Sequence, residues 1–214
     1  MKIETTDASP AALGFLSVIE LPSQGLIGGY LLLNAHARPL EFHCTAPVRA
    51  NRAQEVLYGA TLEPYLYGEQ IGATLIKASR LSPLAVFTDC QPALAAADHI
   101  LAPLWWVIPR PAGVEGEKLS IPNKNALPPG EGRARALHTD DRTVPTSTAI
   151  SSEPSAPVRC GDNVLVPAPV SKLPARLSAE SLEQRLPEFA ATIDLLEPFE
   201  RIRAAIQESQ RGWR

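Results

Sequence analysis

Three of the four tyrosines, Tyr58, Tyr65 and Tyr67, fall in one segment, Asn51 to Glu69, together with Arg52, Glu63, Glu69 and two glycines. A phenol supplies broad contact area and a hydroxyl that both donates and accepts, which suits a binding surface. Arg49 and Arg52 stand beside this segment. A guanidinium takes a carboxylate or a phosphate through two parallel hydrogen bonds. Arg49, Arg52, Tyr58, Tyr65, Tyr67 and Glu69 are therefore the candidate binding face. Two other readings stand beside it: a kinked helix whose tyrosines lie half in the core, and tyrosines lining a small-molecule pocket.

Nucleophile and ligand residue types are present without a reactive pattern. His43, Cys44, Cys90 and His99 carry zinc-binding chemistry, but neighbours on a strand point to opposite faces. No Cys-x-x-Cys or His-x-x-x-His spacing accompanies them, so no metal site is expected from these four. Cys90 follows Asp89 at the start of a predicted helix. The helix dipole there favours a thiolate, the adjacent carboxylate opposes it, and no base can be placed beside it. Gly25 to Gly29 lies between two apolar runs, whereas a phosphate loop joins a strand to a helix, so these glycines read as a turn. Gly-x-Ser-x-Gly, kinase and P-loop signatures are absent.

The elements that must position these residues begin after a flexible lead, 1–10. Leu13 to Leu21 and Ile27 to Asn34 are short apolar runs separated by the turn residues Pro22 to Gly25. Leu40 to Pro47 alternates Leu40, Phe42 and Cys44 against Glu41, His43 and Thr45, which predicts a strand with its apolar side inward. Asn51 with Gln54 forms a capping box and opens a helix. Gly59, Pro64 and Gly68 interrupt the helical pattern, so two helical pieces are expected, 51–58 and 61–79. Leu84 to Thr88 is a fourth strand, Gln91-Pro92 opens a short helix, and Leu104 to Ile108 is a fifth strand. The fold class is thus α/β over residues 11–110: a three-stranded antiparallel meander, then helix, strand, helix, strand. Trp105-Trp106 straddles the last strand, one ring inward and one outward, and the outward ring is expected either to anchor an interface or to be covered by the tail helix.

Residues 111–175 hold about half of the 21 prolines and show no sustained periodicity, as in a disordered linker. Only Asn163 to Val166 reads as a further short strand. In the tail, 176–214, an apolar stripe returns at steps of three or four: Leu182, Leu186, Phe189, Ile193, Leu196, Phe199, Ile202 and Ile206. A lone amphipathic helix is marginal in water. The stripe from Leu186 to Ile206 is therefore expected to pack on the first domain, on a second copy or on a protein partner.

The element order resembles that of RNase H-like nucleases. The resemblance implies carboxylates converging at strand ends to hold two Mg²⁺ ions ~4 Å apart. Here the candidates are Glu20, Asp89 and either Glu63 or Glu69. No other cofactor is expected.

A net charge of -3 over 214 residues argues against a dedicated nucleic-acid surface. The N-terminus lacks the apolar core of a signal peptide, and Glu20, Pro22 and Gln24 interrupt the most apolar window. Three widely spaced cysteines suit reduced thiols in the cytoplasm. The leading expectation is a cytoplasmic, non-enzymatic interaction or adaptor protein. The alternatives are a metal-dependent nuclease or phosphodiesterase and a small-molecule sensor.

Overall fold

The computed structural model describes residues 12–109, 157–169 and 194–211. The lead 1–10, most of the linker, and the tail residues Leu186, Phe189 and Ile193 lie outside the described residues.

Strands β1 (Ala12–Leu21) and β2 (Gly25–Asn34) pair antiparallel along their whole length. The turn between them closes with Gly25 at φ 104, a conformation that a side chain disfavours. β3 (Pro39–Cys44) continues the meander. Then come α1 (Arg52–Tyr58), a 3-10 turn (Gly59–Thr61), a π-helical segment (Pro64–Gly72) and α2 (Ala73–Ala78). β4 (Ala85–Thr88), a 3-10 segment (Gln91–His99) and β5 (Leu104–Pro109) come next. The chain returns as β6 (Val158–Cys160), β7 (Asn163–Pro167) and α3 (Glu197–Arg211).

All seven strands form one sheet in the order β3-β2-β1-β4-β5-β7-β6. β4 runs parallel to β1 and β5 parallel to β4, while β7 returns antiparallel to β5. The α/β class is what the structure shows. Part of the proline-rich stretch departs from the linker reading: residues 158–167 make a hairpin, turning at Gly161 with φ 58, that extends the sheet beyond β5.

β1 and β2 are apolar at nearly every position because both of their faces are covered. On one face Phe15, Leu31, Phe87 and Trp105 pack with Phe199, Ile202 and Ile206 of α3. On the other, Leu16, Tyr30 and Val86 pack with Leu66, Ile71 and Leu75 of the helical segments. Gly28 and Gly29 lie inside β2 and let both layers descend. A Cβ on Gly28 would stand 2.1 Å from Ile71 Cγ2, and one on Gly29 would stand 2.4 Å from Ile202 Cγ2. The turn reading of these two glycines is thereby corrected; of the run, Gly25 makes the turn.

One further expectation changes. Leu40, Phe42 and Cys44 are exposed, while Glu41 and His43 are half-buried. β3 is an edge strand, and Phe42 and Cys44 stand opposite Leu31 and Gly29, on the α3 side, where α3 covers β1 and β2. Glu41 instead accepts hydrogen bonds from His43, Ser79 and the Arg80 backbone N–H on the opposite face. The described part of the tail stripe takes one of its three expected homes, the first domain. Phe199, Ile202 and Ile206 are buried against their own sheet, so they are not free for a partner while α3 is docked, and Leu196 is partly buried beside them.

Phe199 meets Phe15 edge-on with ring centroids 5.7 Å apart. Phe199→Ala is expected to cost about 3–5 kcal/mol, because a fully buried aromatic leaves a cavity. Urea unfolding checks this; a loss under about 1 kcal/mol would mean that α3 is not part of the cooperative core.

Candidate functional site

The C-terminal ends of β1 and β4 form the first polar cluster. Their parallel register sets Leu16 beside Thr88, which brings Ser17 alongside Asp89. Ser17 Oγ donates to Asp89 Oδ2 at 3.1 Å. From α3, Arg203 Nη2 donates to the same carboxylate oxygen, while its Nη1 donates to Glu200 at 2.6 Å. Cys90 Sγ donates to the carbonyl of Val18 at 3.4 Å and lies 3.3 Å from Asp89 Oδ1. Burial, with the Asp89 charge second, pushes the Cys90 thiol up to about 12. A thiol held protonated in this way weighs against a nucleophile. Burial also raises the Tyr67 hydroxyl, with smaller contributions from Cys90, Glu20 and Glu63, so these groups share one neighbourhood.

The carboxylates named by the nuclease resemblance are thus dispersed in role. Asp89 is half-buried and tied to Ser17 and Arg203, whereas Glu20 and Glu63 are exposed. Glu69 faces His99 at 3.5 Å. Among the described residues no three His, Cys, Asp or Glu side chains gather in a group able to hold a metal ion. Ser17 and Arg203 both bond Asp89 Oδ2, so that oxygen is already partnered within the chain. His43 is bonded to Glu41 at 2.9 Å.

The second place is α1 and the turn after it. The Asn51 side chain accepts from the Gln54 backbone N–H, and the Gln54 side chain accepts from the Asn51 N–H, completing the capping box. None of the helix's seven residues is buried. Val56 and Leu57 are 68% and 81% exposed. Tyr58 stacks on Tyr65 with ring centroids 4.3 Å apart, and Arg52 pairs with Glu55 at 2.9 Å.

The predicted binding face therefore divides. Arg52, Tyr58 and Tyr65 belong to α1 and its continuation. Tyr67 is half-buried near Cys90. Arg49 donates through Nε to the Gln24 carbonyl at 2.7 Å and through Nη2 to the Ser23 carbonyl, pinning the β1–β2 turn. Sequence reasoning missed Ser17 and Arg203. Ser17 sits in an apolar run, and Arg203 carries no mark separating it from the other arginines of the tail.

The first cluster can be tested in two ways. A double-mutant cycle of Asp89→Asn and Arg203→Met is expected to show a coupling of roughly 1 kcal/mol in urea unfolding, since the arginine is partly solvated; additive effects would mean that the pair is decorative. The Cys90 thiol rises from 9.0 to about 12, so the stability that its protonated form carries is full below pH 9 and is lost as the pH climbs toward 12. Cys90→Ala should flatten that alkaline decline in thermal melts across the same window.

Comparison of the chain with protein-family models and with curated proteins finds no match.

Proposed function

We propose that this chain is a cytoplasmic, non-catalytic protein-binding domain that engages its partner through α1 and the stacked Tyr58–Tyr65 pair. One observation carries this reading: α1 buries none of its side chains and presents Val56 and Leu57 to water. So short a helix gains little from its own hydrogen bonds. It is held by its capping box rather than by packing, which leaves its side chains free for a second surface. Single exposed apolar residues are ordinary, but here two adjoin a tyrosine stack. Such an element suits insertion into an apolar groove of another protein, with the tyrosines contributing area and hydroxyls at the rim.

The phosphodiesterase alternative draws support from the core strand order β3-β2-β1-β4-β5 and from Asp89 at the end of β4. The Arg203 guanidinium on that carboxylate weighs against it. A sensor reading would need the tyrosines to enclose a pocket together, yet Tyr67 is set apart from the Tyr58–Tyr65 pair.

The test uses the full chain as bait in extract of its own cells, with the paired variant Val56→Asp and Leu57→Asp as comparison. A stoichiometric protein is expected on the wild-type bait, and its recovery should fall ~tenfold or more on the variant, as when a hot spot is removed. The variant's unfolding curve should be unchanged, since neither side chain is buried. Equal recovery on both baits would overturn the α1 assignment. Mg²⁺ and Mn²⁺ titrations followed by thermal melting separate the alternative: metal stabilisation that disappears in Glu20→Ala and Asp89→Ala would replace the binding reading with the hydrolase.

A further inference from the structure

We propose that two copies of this chain join edge to edge through β3, antiparallel and centred on Phe42, so that their sheets become continuous. This surface is separate from α1 and does not depend on α1 binding a partner.

β3 ends the strand order, so one side of its backbone has no strand beside it among the described residues. Thr45 N–H donates to the Gly28 carbonyl. Backbone direction alternates along an antiparallel strand, so residues 41, 43 and 45 turn their N–H and C=O groups toward β2. Phe42 and Cys44 turn theirs to the open side. A two-fold axis at Phe42 therefore allows Phe42 N–H and C=O to bond the same groups of the second copy. An open edge of this kind pairs with another strand unless something blocks it. Pro39 and the irregularity near Leu40 block only its first residues.

The side chains select a second copy as the occupant. With the axis at Phe42, that side chain meets its own equivalent and Cys44 meets Leu40. All three are exposed in the single chain, Phe42 by 40%. On the other face, Glu41 of each copy comes opposite His43 of the other. The segment is thus self-complementary on its exposed face, apolar against apolar, while on the other face Glu41 and His43, already bonded to each other within each chain, come opposite their counterparts without like charges facing. An axis at Cys44 would keep the backbone direction but set Phe42 against Ala46 and His43 against Thr45, losing the apolar match. An axis at Glu41 would oppose like charges, which destabilises a strand pair. Such an interface is isologous, as expected of a two-fold dimer.

Sedimentation of the full chain over a concentration series is the first measurement. A reversible monomer–dimer equilibrium is expected, lost in Phe42→Asp, where two carboxylates would face each other, and kept in the paired Val56→Asp and Leu57→Asp variant. Cross-linking fixes the register. In a Cys44→Ser background, Phe42→Cys places two thiols on facing residues with Cα atoms ~5.5 Å apart, within disulfide reach. Diamide takes one hydrogen from each thiol and is reduced to the hydrazine as the S–S bond forms. Rapid formation of a covalent dimer is expected for Phe42→Cys, and little for His43→Cys, which faces position 41. A chain that stays monomeric throughout, a dimer that survives Phe42→Asp, or equal cross-linking of the two cysteine variants would each overturn the proposal.

Discussion

The sheet must be covered on both faces, and one cover comes from the far end of the chain. β1 places Phe15 on one side and Leu16 on the other, both fully buried. The Leu16 side is closed by helical segments that lie between neighbouring strands in sequence. The Phe15 side is closed by Phe199, Ile202 and Ile206, which arrive only after the whole intervening chain. A bare apolar sheet face in water is costly at roughly 25 cal/mol per Å². The tail helix is consequently a structural part of the N-terminal domain. Its docking is also non-local, so loop closure must be offset before those contacts form, which slows folding relative to the local meander.

Much of this was legible. The five apolar runs from Leu13 to Ile108 mark β1, β2, β3, β4 and β5, and Asn51 with Gln54 marks the start of α1. Local chemistry fixes these features, since period and capping are read from neighbours in sequence. What was not legible depends on distant contacts. Whether Phe42 or Glu41 faces inward is decided by how far α3 extends over the sheet, and no residue in β3 records that. Gly28 and Gly29 look like turn residues by type; only the approach of Ile71 and Ile202 from opposite sides explains them. The hairpin 158–167 is short and flanked by prolines, and its pairing partner is β5, more than fifty positions upstream.

The cluster at Asp89 shows the same limit in electrostatic form. A carboxylate at the end of a central parallel strand is half-buried and needs compensation. Metal ions, hydroxyls and arginines can all supply it, and the sequence of β4 does not say which. Here Ser17 and Arg203 do. Because Arg203 is carried by α3, the ion pair ties the helix laterally while Phe199, Ile202 and Ile206 hold it down. A charge pair with one half-exposed member adds little to stability, but it fixes the helix's placement in a way that apolar contacts, which tolerate sliding, do not. Cys90 belongs to this arrangement as a protonated thiol held by the Val18 carbonyl.

With the described part of the tail stripe spent on the chain's own sheet, the large apolar side chains left in water locate the unsatisfied surfaces. Val56 and Leu57 lie on α1, Leu40 and Phe42 lie on β3, and Leu101 stands alone in the loop before β5. At the two paired sites the layering stops: α1 precedes the helical segments that pack on the sheet, and β3 lies beyond the reach of α3. The two leftovers differ in kind. α1 has its backbone satisfied and offers only side chains, so it asks for shape complementarity from a groove. β3 has unpaired backbone groups as well, so it asks for another strand. A surface needing a strand and carrying its own apolar complement in Leu40, Phe42 and Cys44 is best met by itself, while a surface without such symmetry is best met by something else.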